Sequence, residues 1–290
     1  MKRNIYLKTI PPAEAVARVK ASIDREALIR EETIPSHEAS GRVLAHAVHA
    51  RYSSPTFHSA AMDGYAVNAR STFAAREGHP LTLKAGETCF AVNTGHPMPE
   101  GCDAVIMIEQ VMLDGGSVTI EAPAFPWQHV RRIGEDIVAT ELLFPRNHQL
   151  RPWDVGALLS GGIWDVPVWE RVTVRIIPTG DEVLDFTTHP DPGKGQVVES
   201  NSQMLAALAR ELGCVVERAA PVPDNPEALH QALKDSLDAG RHLTIFCAGS
   251  SAGSKDFTRA TLEKEGEILT HGIAAMPGKP SLLANCRGRL

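Results

Sequence analysis

Four loops in this chain set a carboxylate beside a glycine: Asp63 precedes Gly64, Asp136 follows Gly134 by two residues, Asp181 and Glu182 follow Gly180, and Asp256 lies three after Gly253. A single loop Asp is ordinarily a turn former or a cap. Four in one chain, two of them after β-branched runs, suit a shared cation or hydroxyl-binding site, and oxygen ligands of this kind are what Mg2+ takes when a substrate's phosphates complete its shell. Glu182 is the first choice for a catalytic carboxylate and, with Asp256, for a Mg2+ ligand. Its neighbour Asp181 reads as a local cap.

Other stretches carry weaker chemistry. Gly249-Ser250-Ser251-Ala252-Gly253-Ser254 follows an apolar strand and precedes a helix. It reads either as a backbone cradle for an anion at a helix N-terminus or as a tight turn needing glycine. It does not match G-x-G-x-x-G. Pro277-Gly278-Lys279-Pro280 fails as a P-loop, because Pro280 stands where Ser or Thr would bind magnesium. Lys279 is then either a fixed charge for an oxyanion or a surface lysine. Twelve histidines are scattered, with only His46 and His49 at helical i,i+3 spacing, and no G-x-S-x-G elbow anchors a nucleophile.

The elements that must position these groups fall into three textures. Residues 11–29 repeat apolar side chains near a 3.6 period behind Pro11-Pro12, an amphipathic helix, and Ser36 can cap a second short one. From about Tyr52 short strands (Leu81–Lys84, Ala104–Ile108, Ser117–Glu121) alternate with Gly- and Pro-rich turns, which argues a β-rich domain over 52–137. Residues 138–170 hold a helix from Trp153 to Ser160 and are expected to pack on the N-terminal helices, so that 1–51 plus 138–170 form a discontinuous helical and linker domain. From Val172 strand and helix alternate: a strand to Pro178, a helix near 201–212, a strand from Cys214, a helix near 226–238, the strand Leu243–Cys247 and a helix near 256–265. That order predicts an α/β domain over 171–290 with a parallel sheet and right-handed crossovers.

The 290 residues, 43% hydrophobic and 22% charged, provide for more than one core. A net charge of −6 gives no global field for nucleic acid. Five scattered cysteines without C-x-x-C support neither a disulfide framework nor a zinc site, and reduced cytoplasm is the simplest setting. No signal peptide is legible near Met1, and no apolar run reaches the roughly 18 residues of a membrane span.

Taken in order, the motifs resemble those of the MoeA/gephyrin E-domain family, the molybdopterin molybdotransferases. Ser59-Ala60-Ala61-Met62-Asp63-Gly64-Tyr65-Ala66 resembles S-A-M-D-G-Y-A, and Asn93 to Gly101 resembles T-G-A-x-x-P-x-G. The stretch ending Gly134-Glu135-Asp136-Ile137 resembles R-x-x-G-E-D-I, and Thr179-Gly180-Asp181-Glu182 the T-G-D-E loop. Asn201-Ser202, Asp224, Gly249 to Asp256 and Pro277 to Pro280 follow in the family's order.

The resemblance implies molybdenum cofactor biosynthesis: molybdate inserted into adenylated molybdopterin (molybdopterin-AMP), with release of AMP, in a Mg2+-dependent step downstream of a molybdopterin adenylyltransferase. Carried over by position, Asp63, Asp136, Glu182 and Asp256 would be catalytic. Thr94, Gly180, Asp224, Gly249, Ser250, Ser251, Gly253 and Lys279 would hold the substrate. It also implies a homodimer whose site is shared between subunits, with Asp63, Thr94 and Asp136 facing Glu182 and Asp256.

Departures are visible. Met276 stands where the family commonly has lysine, one glycine of G-G-x-S-x-G is replaced, and the family's C-terminal β-barrel is not encoded before Leu290. They give a second reading, a molybdopterin-binding scaffold or inactive fragment. His58-Ser59-Ala60-Ala61-Met62-Asp63 and His271-Gly272 resemble members fused to a C-terminal periplasmic-binding-protein-like domain.

Overall fold

The β-branched run after Val172 becomes the strand Thr173–Pro178, and its near-continuous apolar character is explained by neighbours on both edges and cover on both faces. It lies between Val215–Arg218 and Leu243–Cys247 and runs parallel to both, with Val174 opposite Val216 and Ile176 opposite Ile245. Val174 and Ile176 pack with Ala206 and Leu205 of the helix Asn201–Glu211. Ile177, one step on, is equally buried. The helix Pro226–Asp238 starts where Asn225 accepts a hydrogen bond from the Ala228 amide and Pro226 supplies a preset φ. Its Leu229, Leu233 and Leu237 recur every fourth residue and are buried, the last two packing with Phe246. Because the first strand sits in the middle and the next two flank it, the chain changes direction across the sheet at the C-terminal end of Thr173–Pro178. This is where an open α/β sheet leaves a crevice.

The computed structural model describes residues 8–247 and 257–290. Contacts divide the chain into two units, Met1–Glu32 with Trp169–Leu290, and Thr33–Val168. That grouping corrects one expectation. The amphipathic helix, Pro12–Ser22, does not join residues 138–168; it packs on the antiparallel hairpin Gly266–His271 and Leu282–Cys286. Arg18 Nη1 donates to the Leu269 carbonyl at 2.9 Å, and Ile10 exchanges backbone bonds with Gly272 and Ala274. Amphipathic spacing announces that one face will be buried and is silent about the partner.

In Thr33–Val168 the central element is the strand Gly64–Val67, paired antiparallel with Cys89–Val92 and Ala104–Met107. Val67 and Ile106 face a core that includes Leu83, Val118 and Ile120 from a second sheet, Leu81–Lys84, Ser117–Ile120 and Val111–Asp114. Ala66 and Val105 face the other way, onto Ala60, Val92 and Val130. Gly64 is required by approach: a Cβ there would lie 2.0 Å from the Ile106 carbonyl oxygen. A separate cluster joins Leu44 and Val48 to Leu150, Leu158, Val166 and Val168, around the helix Pro152–Ser160. These separate clusters support, as a proposal, the finer division of this unit into a β-rich part over 52–137 and a surrounding part. At Ser36 only a short 3-10 turn, Ser36–Glu38, forms. The architecture is that of a multidomain α/β protein with a β-rich region, and among the described residues no sheet closes into a barrel.

Candidate functional site

At the end of the central parallel strand the chain is locked before it turns outward. Thr179 is fully buried, and its amide and hydroxyl both donate to the Cys247 carbonyl, at 2.9 and 3.2 Å. Gly180 has φ +135°, which L side chains rarely adopt, and its amide donates to the Val222 carbonyl at 3.2 Å. A Cβ at Gly180 would meet Val183 Cγ2 at 2.8 Å and Glu182 Oε1 at 3.0 Å. The bare backbone therefore leaves room for the Glu182 carboxylate.

The two adjacent acids divide their work. Asp181 accepts from the Asp224 amide at 3.1 Å and ties two loops together, a local role as expected, although it joins a loop and does not cap a helix. Glu182 is exposed, and no described residue donates to its carboxylate. Gly180, Glu182 and Asp224 are thus gathered at one sheet end.

A buried polar cluster beside this loop escaped the sequence reading. Glu199 Oε1 accepts from the Ser202 amide at 2.7 Å and Oε2 from the Ser202 hydroxyl, so Glu199 caps the helix Asn201–Glu211. Arg218 Nε donates to Ser202 Oγ at 2.9 Å, and its Nη2 lies 3.1 Å from Asp185 and 3.5 Å from Glu199. Its guanidinium stands 4.5 Å from the Phe186 ring centroid. Hydrogen bonds from the Thr187 amide and from Arg218 hold the Asp185 carboxyl below its usual range. Burial, with Glu199 adding to it, pushes the Cys247 thiol up to about 11, so that thiol stays protonated at neutral pH. The signal was Ser200-Asn201-Ser202, which reads as a helix start; nothing ties a glutamate before it to an arginine two elements later.

Lys279 sits exposed on the turn formed by Pro277 to Pro280, its carbonyl accepting from the Ile273 amide at 3.0 Å, and its ammonium makes no ion pair with a described residue. No described contact joins it to Glu182. Met276 is 88% exposed. Gly249, Ser250, Ser251, Gly253 and Asp256 lie outside the described residues.

In the other unit one dipeptide organises the expected polar residues. The short strand Ser59–Ala60 pairs antiparallel with Val130–Arg131. The Ala60 amide donates to the His96 carbonyl at 2.9 Å and its carbonyl accepts from Gly95 at 2.8 Å. Three residues on, Asp63 Oδ1 receives the Thr94 amide at 2.7 Å and the Thr94 hydroxyl at 2.9 Å. Those two bonds hold the Asp63 carboxyl below its usual range. On the other flank Arg131 Nη2 reaches both oxygens of Asp136, at 3.0 and 2.8 Å, while the Asp136 amide donates to the Ser54 carbonyl. His58 Nδ1 accepts from the Ile133 amide at 3.1 Å. Asp63 and Thr94 are brought into direct contact, and Asp136 is carried by a turn hung on the same dipeptide. Both acids are already engaged by protein donors. Among the described residues no three His, Cys, Asp or Glu side chains converge to hold a metal.

Residues 10–162 match the family described as the MoeA N-terminal region, domains I and II, and residues 175–289 match a probable molybdopterin binding domain. A molybdopterin molybdenumtransferase of Synechococcus elongatus is 31% identical over 270 residues, covering 87% of this chain and 67% of the relative. One of Haemophilus influenzae is 33% identical over 269 residues, covering 86% and 64%. The chain thus spans about two thirds of the length of these curated relatives. The crystal structure of a molybdopterin biosynthesis MoeA protein from Pyrococcus horikosii superposes with a TM-score of 0.81 at 28% identity, over 97% of this chain and 73% of that one. With a match to the MoeA N-terminal region over residues 10–162, a match to a molybdopterin binding domain after it, and curated relatives 31–33% identical over most of its length, the chain belongs to the MoeA family.

Proposed function

We propose that this chain acts in molybdenum cofactor biosynthesis as a molybdotransferase, inserting molybdate into adenylated molybdopterin with release of AMP. The observation that carries the reading is Glu182: an exposed carboxylate at the switch point of a parallel sheet, without a donor among the described residues, on a turn whose Gly180 has a φ of +135° that other residues rarely adopt. The names of the similar proteins point to the same substrates.

In this reading Glu182 is the group that meets the reacting phosphates. A lone exposed carboxylate fits Mg2+, which keeps most of its water and takes one or two protein oxygens with substrate phosphates. Glu182 would hold it, together with Asp256. When bound, Mg2+ would neutralise charge on the phosphoanhydride. Asp181, by tying the Asp224 loop down, keeps the floor of the crevice in place. Lys279, whose ammonium pairs with no described residue, supplies a cation for an oxyanion such as molybdate. The Asp63 and Thr94 clasp and the Arg131 and Asp136 pair act in substrate binding by holding their loops in shape. We further propose a homodimer whose site draws on both subunits, an adenylyltransferase as donor of the substrate, and a cytoplasmic setting. The five unbridged cysteines suit that setting, and no described helix is long and apolar enough to cross a membrane.

The test is single-turnover AMP release from molybdopterin-AMP with and without molybdate. Molybdate-dependent release by the wild-type chain and its loss in Glu182→Gln support the enzyme. Exposed Met276, in place of a lysine, favours one other outcome: tight molybdopterin binding without release would replace the enzyme with a scaffold.

A further inference from the structure

We infer that Arg218 is a positioning residue for Glu182, a role that builds on the reading of Glu182 above. Residues 182–199 leave the sheet end and come back to it. Their two legs, Val183–Leu184 and Val197–Val198, pair with each other in parallel. The Val197 amide donates to the Glu182 carbonyl at 3.0 Å and the Glu199 amide to the Leu184 carbonyl at 2.9 Å. The backbone of Glu182 is therefore held by the second leg, which runs in the same direction as the first and ends at Glu199.

Arg218 grips both legs with one planar fork. It bonds Asp185 just after the first leg, lies beside Glu199 at the end of the second, and holds Ser202 of the following helix. Its own backbone belongs to the sheet, opposite Ile176 of the central strand. Phe186 covers the guanidinium face. A lysine ammonium is a point charge and cannot serve three separate acceptors in a plane. Arg218 touches no part of the crevice that Glu182 faces by any described contact, so its effect on the reaction runs through the loop.

A buried ion cluster could instead contribute only to stability, and a positioning role separates from that in two measurements. The first needs no substrate. Amide hydrogen exchange in Arg218→Lys and Asp185→Asn is expected to rise about tenfold at Val197 and Glu199 while Val174 to Ile177 keep their protection. If Arg218→Lys loses protection throughout the sheet, Asp185→Asn, which keeps the shape of the acid, carries the test. Unchanged exchange at Val197 and Glu199 in Asp185→Asn overturns the inference.

The second is molybdate-dependent AMP release. Both variants are expected to lower kcat roughly tenfold, with KM for molybdopterin-AMP changed less than about twofold. Combined with Glu182→Gln, neither should lower the residual rate further. An equal fall in both backgrounds means the cluster acts independently of Glu182 and overturns the inference. A wild-type chain that releases no AMP refutes the proposed function, and the exchange measurement then decides the positioning of the loop on its own.

Discussion

The two carboxylate-bearing regions of this molecule treat their acids differently. At the end of the parallel strand Thr173–Pro178, Asp181 is consumed by the Asp224 amide and Glu182 is left with its carboxylate open among the described residues. Around the dipeptide Ser59–Ala60 both acids of the motifs have protein donors: Asp63 Oδ1 is clasped by Thr94, and Asp136 is paired with Arg131. An ionised carboxylate has about four lone-pair sites, so Asp63, whose two bonds both fall on Oδ1, and the exposed Asp136 keep part of their accepting capacity, while Glu182, with no donor among the described residues, keeps all of it. The motifs of both look alike, and the contrast is one of degree: in the proposed function the first region does the chemistry and the second holds its loops in shape.

The sharpest way to break this contrast is Glu182→Gln, expected to lower molybdate-dependent AMP release about 100-fold or more, with an unchanged melting temperature because the side chain is exposed and its carboxylate bonds no described residue. A melting temperature that falls with the rate would show Glu182 to be structural.

Next in size is Gly64→Ala. Its Cβ would run into the Ile106 carbonyl, and spreading the strands should cost about 1–3 kcal/mol, read as a lower melting temperature of that unit. Wild-type stability would mean the close approach can relax. Thr94→Val keeps the amide bond to Asp63 and removes the hydroxyl bond, so substrate affinity should fall only about three- to tenfold. A loss as large as that of Glu182→Gln would move Asp63 and Thr94 from shape to chemistry.

The smallest expected effect is with pH. Asp63 titrates below its ordinary value because the Thr94 amide, first, and hydroxyl stabilise its ionised form. The clasp is thus complete above the unfolded-state value of 3.8 and is lost only as pH falls through the lower folded value. In Asp63→Asn the Thr94 amide shift should differ from wild type at about pH 7 and stay flat below about pH 5, where wild type begins to change; an identical low-pH profile in both would show that the clasp does not depend on the Asp63 charge.

Legibility followed the same division. The strand from Val172 and the helix after Asn225-Pro226 were readable because a strand buried on both faces is apolar along most of its length and a capped helix carries its own start signal. The strand Gly64–Val67 was not, although it is central, since four residues beginning with glycine carry no periodicity of their own. The helix Pro12–Ser22 was readable as a helix and misplaced as a neighbour, because its partner, the hairpin 266–286, lies some 250 residues on. Glu182 stood out by its glycine and its position. Glu199 and Arg218 did not, because their meaning is made by the register of two strands and a loop between them. The glycine and serine loop that includes Asp256 was legible only as a motif.

The dipeptide Ser59–Ala60 has one more consequence, for anyone recombining members of this family. Loop 93–98 and the turn 131–137 hang from its backbone, and Asp63 follows it by three residues. None of the three can be exchanged alone without moving the other two. The three stretches behave as one heritable cassette, and a chimera that cuts between them should fail where one that carries all three succeeds.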